Sequence, residues 1–169
     1  MSTSQDEIKL LRTVFKSPYG FVSLGFGAGL MPFAPGSWGT LVAFPICLVL
    51  QMFFGTVSQL IFWSFLYLFG VLVSGKAARE LGVKDHSAIV IDEIVAFGLV
   101  LTLIPHELPW LIFAYAVFRF FDITKPFPIR NIDIKWEGGN GIMADDFVAA
   151  VYSVLVVNIV FFLVSKTWL

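Results

Sequence analysis

Apolar residues fall in blocks too long for strands and too uniform for the one-sided helices of a soluble domain. Five blocks stand out, at residues 41–54, 58–74, 89–104, 110–121 and 147–164. Each is at the short end for crossing about 30 Å of hydrocarbon, so flanking residues are expected to extend them. Residues 21–40 are also apolar but are broken by Gly25, Gly27, Gly29, Pro32, Pro35, Gly36 and Gly39. That run suits either a re-entrant or interfacial element, or a helix contact lined by small residues. Ahead of it, residues 6–15 predict a short amphipathic helix with Ile8, Leu11, Val14 and Phe15 on one face, stopped by Pro18 and Gly20. The pattern predicts an all-α integral membrane bundle of about four to five transmembrane helices plus the Gly/Pro-rich segment. Residues 1–169 read as one membrane-embedded domain, with residues 1–20 as an amphipathic cytoplasmic segment.

Composition supports this reading. Of 169 residues, 58% are apolar and 14% charged, well off the balance of soluble domains. The net charge of -1 and the lack of a basic stripe argue against a nucleic-acid partner. The single cysteine, Cys47, lies inside an apolar block and reads as a small buried hydrophobe. The first twenty residues are polar and do not read as a cleaved leader, so insertion is expected to use internal spans. Five crossings from a cytoplasmic amino terminus put Lys9, Arg12, Lys16, Lys76, Arg79, Lys84, Lys125, Arg130 and Lys135 on one side, as the positive-inside rule asks. Only Lys166 falls on the other.

That topology was fixed by the cations, yet it also gathers acids. Residues 118–146 hold Arg119, Asp122, Lys125, Arg130, Asp133, Lys135, Glu137, Asp145 and Asp146 between two apolar blocks. The stretches IVIDEIVA (89–96) and IMADDFVA (142–149) share the pattern I-x-x-D-[DE]-x-V-A, each at the mouth of a block and entering the membrane in the same direction. Four carboxylates at one depth repel and partly protonate unless a cation joins them. A hard divalent ion such as Mg²⁺ prefers such oxygen ligands and leaves room for a phosphate. Arg119, Lys125 and Arg130 bracket Asp122, and Arg and Lys grip phosphate as a fork and a point charge. Each residue also has an ordinary role: acids favour helix amino termini, Asp122 can pair with Arg119 or Lys125, and cations anchor the inner face. His86 is one candidate proton shuttle, while His106 falls on the opposite side.

FRFFDITKPFPI (118–129), GGNGIMADD (138–146), IDE (91–93) and GFGAGLMPFAPGSWGT (25–40) together resemble the phosphatidylglycerophosphatase A family. The resemblance covers most of residues 21–156; Phe127 stands where Trp is common and Ser37 where Thr is common. It implies a Mg²⁺-dependent bacterial membrane enzyme with its active site facing the cytoplasm. Such an enzyme hydrolyses phosphatidylglycerophosphate to phosphatidylglycerol and phosphate, the last step in making that lipid. Carried over by motif, Asp92, Glu93, Asp122, Asp145 and Asp146 are the expected catalytic acids, with Asp92, Glu93, Asp122 and Asp146 the expected metal ligands. Arg119, Lys125 and Arg130 are expected on the phosphate, with Gly36, Ser37, Gly39 and Thr40 lining or shaping the site. Two other classes compete. A headgroup phosphotransferase would need a D-G-x-x-A-R pattern, which is missing. A transporter or channel with a cation site at its cytoplasmic mouth would need polar residues along its spans. The last block offers only Tyr152, Ser153 and Asn158.

Overall fold

The computed structural model describes Ile8, Leu11, Arg12 and residues 14–167. Of the expected amphipathic helix, Ile8, Leu11, Arg12, Val14 and Phe15 are helical, and the rest lies outside the described residues. Val14 is buried and Arg12 exposed, but Ile8, expected on the same apolar face as Val14, is exposed.

α1 (Pro18–Ser23) follows, with Pro18 in its first turn and the Ser17 hydroxyl accepting from the Gly20 amide at 3.1 Å. The chain then tightens into a 3₁₀ turn, Gly25–Leu30. Gly29 lies so close to the Ala88 carbonyl that a Cβ there would sit 1.9 Å from its oxygen. The Gly/Pro-rich segment is thus not one span. Its first part is a folded cap of short turns, and from Pro35 it becomes the start of a long helix.

That helix is α2 (Pro35–Phe53), which continues through Pro45 and buries Gly36, Gly39, Thr40, Ala43 and Cys47 along one face. α3 (Thr56–Leu81) returns and ends at Gly82, whose φ of 71° closes the helix in the left-handed conformation. α4 (Ile91–Leu103) is short, and ten of its thirteen residues are buried. It is the central post, not a lipid-facing helix. Gly98 lets Trp63 of α3 lie against it, where a Cβ would come within 2.4 Å of the ring. The Trp63 indole N–H donates to Thr102 at 3.1 Å. α5 (Leu108–Thr124), α6 (Ile129–Lys135) and α7 (Gly138–Thr167) complete the bundle.

Among the described residues, α2, α3 and most of α7 are long and apolar enough to cross a membrane. α4 and α5 rise only about 20 and 26 Å at 1.5 Å per residue. α3 and α7 turn a band of bare apolar side chains outward, including Phe65 and Leu72 on one and Phe147, Leu155 and Phe162 on the other. Lipid is the solvent that accepts such a surface.

α2, α4 and α7 start at the same end of the bundle, where α3 and α5 finish. Contacts between Gly36 and Glu93, Gly75 and Gly139, and Arg119 and Glu93 fix that end. The other end carries Gln51 beside His106 at 3.3 Å and Asn158 donating to the Leu103 carbonyl.

Candidate active site

The two acid-bearing stretches lie in the N-terminal parts of α4 and α7, side by side. Asp92, Glu93 and Asp146 bring one carboxylate oxygen each to within 4.8 Å of one another. Asp92 and Asp146 are buried, only 7% and 3% exposed. They sit just above the lipid-facing band, since Asp146 immediately precedes the exposed Phe147. Asp92 and Glu93 stand in the first turn of α4, where the N-terminal dipole favours negative charge, whereas Asp145 and Asp146 lie two turns into α7, as the eighth and ninth residues of that helix.

Cations from α5 and its C-terminal turn line one side. Arg119 Nη1 meets Asp122 Oδ2 at 2.5 Å and Glu93 Oε1 at 3.7 Å, and donates to Thr40 Oγ1 at 3.4 Å. Lys125 caps α5 with φ of 42°. Its ammonium contacts Asp145 Oδ2 at 2.6 Å and Asp133 Oδ1 at 3.1 Å. Burial opposes its charge, but Asp145 and Asp133 outweigh that and hold its pKa above the usual lysine range. The first turn of α2 closes a third side. A Cβ at Gly36 would stand 2.2 Å from Glu93 Oε1 and 3.2 Å from Arg119 Nη2. Tyr115 O–H donates to the Ser37 carbonyl at 3.4 Å.

The structure therefore gathers Asp92, Glu93, Asp122, Asp145, Asp146, Arg119, Lys125, Gly36, Ser37 and Thr40 at one end. Arg130 is exposed on α6, and no ion pair links it to the acids among the described residues. Two residues escaped the sequence reading. Asp133 shares Lys125, and Lys84 donates to the carbonyls of Asp133 and Ile134. Asp133 lies eight positions after Lys125, beyond a Pro-Phe-Pro turn, and nothing in the spacing marks the pair.

Several buried polar atoms here lack a protein partner: Asp92 Oδ1, Glu93 Oε2, Asp145 Oδ1, Asp146 Oδ2 and Arg119 Nε. Buried carboxylate oxygens are costly when unpaired. An all-oxygen, multiply anionic donor set suits a hard divalent cation, so the residues present fit a metal ion.

A sequence model of phosphatidylglycerophosphatase A matches residues 21–161. The chain belongs to the phosphatidylglycerophosphatase A family. A member from Haemophilus influenzae is 44% identical over 142 residues, 83% of this chain and 87% of its own. One from Escherichia coli K12 is 34% identical over 143 residues, 84% of this chain and 83% of its own. A Bacteroides thetaiotaomicron protein bearing the name of a candidate phosphatidylinositol-3-phosphatase is 33% identical, over 82% of this chain and 90% of its own. No solved structure matches the chain. As a member of this family the chain is a phosphatase, and its apolar helices fit a membrane protein.

Proposed function

We propose that the chain hydrolyses the phosphomonoester of phosphatidylglycerophosphate, giving phosphatidylglycerol and phosphate, in a Mg²⁺-dependent reaction at the cytoplasmic face of a bacterial inner membrane. One observation carries the reading: buried carboxylates with unpaired oxygens, flanked by a guanidinium and an ammonium at the edge of the lipid-facing band. A lipid phosphomonoester needs anion-binding groups at the interface and apolar surface just below it. The names of the relatives from Haemophilus influenzae and Escherichia coli supply the substrate. The orientation follows from charge: Arg79, Lys84 and Lys125 share the end that carries the acids, and Lys166 lies near the end of α7, far from it.

Asp92, Glu93 and Asp146 would hold the metal. When bound, a hard divalent ion supplies Lewis acidity toward phosphate oxygens and offsets the charge of the acids. Arg119 and Lys125 bind the phosphate oxygens and stabilise the charge that builds there in the transition state. A carboxylate at the rim, Asp122 or Asp145, orients a water in line with the P–O bond to glycerol and accepts its proton. That bond breaks, the leaving oxygen takes up a proton, and the diacyl product stays in the bilayer. Arg119 holds Asp122 and Lys125 holds Asp145, so neither rim acid is free to swing away. α4 and α5 complete the membrane-embedded part, and the whole chain acts as one catalytic domain.

A transport reading finds less support. Directly beneath the acids the interior is filled by Ile94, Phe97, Leu101 and Phe118, all buried. Ions crossing there would meet hydrocarbon. The direct test is phosphate release by purified protein from phosphatidylglycerophosphate, phosphatidic acid and phosphatidylinositol 3-phosphate, with Mg²⁺ and with chelator. Mg²⁺-dependent release, fastest from phosphatidylglycerophosphate, is expected. Equal release in chelator would overturn the metal assignment, and preference for the inositol lipid would overturn the substrate.

A further inference from the structure

Lys125 has a neighbourhood that phosphate binding alone does not explain. It is a non-glycine residue at φ 42°, in the left-handed conformation that helix ends usually give to glycine or asparagine. The ammonium lies between two carboxylates of different character. Asp145 is 6% exposed and belongs to the acid wall, whereas Asp133 is 36% exposed and stands on α6, toward solvent. α6 is only seven residues long and cannot hold its position by helix propensity. Its C-terminal end is held from outside, because the Lys84 ammonium, on the connection between α3 and α4, reaches the Asp133 and Ile134 carbonyls. A cation at a helix C-terminus satisfies orphan carbonyls and complements the dipole.

We infer that Lys84 and Asp133 form a positioning arm for Lys125, setting where its ammonium meets the phosphate of the substrate. Lys84 fixes the end of α6, α6 carries Asp133, and Asp133 draws the ammonium outward against the pull of Asp145. The ammonium already bonds Asp145 at 2.6 Å, so Asp145 alone would tether it at one point; the second contact, to Asp133 at 3.1 Å, fixes its direction toward the face where phosphate arrives. Neither residue touches the reacting atoms. The arm rests on the phosphate-binding role proposed for Lys125.

The test is a double-mutant cycle read by calorimetric binding of inorganic phosphate in saturating Mg²⁺, alongside steady-state kinetics on the lipid. Asp133→Asn is expected to weaken phosphate binding and raise KM by roughly threefold to tenfold, with kcat changed less. Lys84→Met is expected to give a smaller loss, about twofold to fourfold, which Lys84→Arg largely restores because it still donates to the carbonyls. In a Lys125→Met background, Asp133→Asn and Lys84→Met should have no further effect on phosphate binding. An undiminished effect in that background overturns the arm. So does a fall in melting temperature with phosphate affinity and KM unchanged, or a wild type that binds no phosphate. A wild type that binds phosphate and follows the cycle, yet releases none from any lipid, leaves the arm standing and removes the proposed reaction instead.

Discussion

The two acid pairs begin alike and end differently. Asp92–Glu93 and Asp145–Asp146 stand in the same pattern, in the N-terminal part of parallel, adjacent helices, just above an apolar stretch. The first pair turns both carboxylates into the cluster. The second divides: Asp146 joins it, and Asp145 bonds Lys125 at 2.6 Å. The neighbours make the difference. α4 is the central post, packed against α2, α3 and α7, and both Asp92 and Glu93 in its first turn come within reach of Asp146. α7 runs along α5 and α6, and the capping turn of α5 brings a lysine to Asp145 alone. Equivalent sequence therefore yields a pair that joins the carboxylate cluster on one helix and a split pair on the other, one acid in the cluster and one against a lysine.

Substitutions at the two pairs should separate along this line. The largest effect is expected at Asp146→Asn and Asp92→Asn, each lowering phosphate release by about a thousandfold or more, since a ligand to the proposed metal is lost. Both should also abolish the rise in melting temperature that Mg²⁺ gives the wild type by binding the folded form. A Mg²⁺-dependent rise surviving in both would remove them from the ligand set.

Asp145→Asn is expected to cost less, roughly tenfold to a hundredfold, and to keep the Mg²⁺-dependent rise, because it breaks a cation contact at the rim. If it behaved like Asp146→Asn in the melting assay, the two acids would share one role and the contrast would vanish.

Gly36→Ala probes the first pair from the other side. The added methyl would meet Glu93 Oε1, so Glu93 must shift away from the cluster. Activity should fall roughly tenfold, with a higher Mg²⁺ requirement and near-normal melting without metal. Recovery of wild-type activity at high Mg²⁺ would show that only metal affinity was touched.

The smallest effect should come from Trp63→Phe. It removes an indole hydrogen bond to Thr102 well below the acids and should lower stability by about 1 kcal/mol while leaving KM for the lipid unchanged. A changed KM would mean that the central post transmits strain to the site.

Much of this was readable before any coordinates. The apolar blocks carry the helical character, because a chain in lipid must satisfy its backbone hydrogen bonds within each segment. The bias of Lys and Arg sets most cations on the side that carries the acids, and the two I-x-x-D-[DE]-x-V-A stretches, running in the same direction, meet at one end of the bundle. Arg119 and Lys125 could be named because few charges stand so close to apolar blocks.

Other features depended on which surfaces met. Residues 89–104 read as an apolar block like the others, and the structure places α4 as a short helix at the centre of the bundle, since a uniformly apolar run does not tell burial in lipid from burial in protein. The Gly/Pro-rich segment left two readings open, and the close approaches of Gly29 to Ala88 and Gly36 to Glu93 decided between them. The partnership of Lys84, Asp133 and Lys125 joins residues up to 49 positions apart through a two-carbonyl contact that carries no composition signal. Sequence thus determined the solvent and the acids, which depend on hydropathy and charge along the chain. Tertiary structure alone decided which acid joins the carboxylate cluster and which faces a lysine, because that choice depends on which neighbour stands within about 3 Å, the range of a charge-assisted contact.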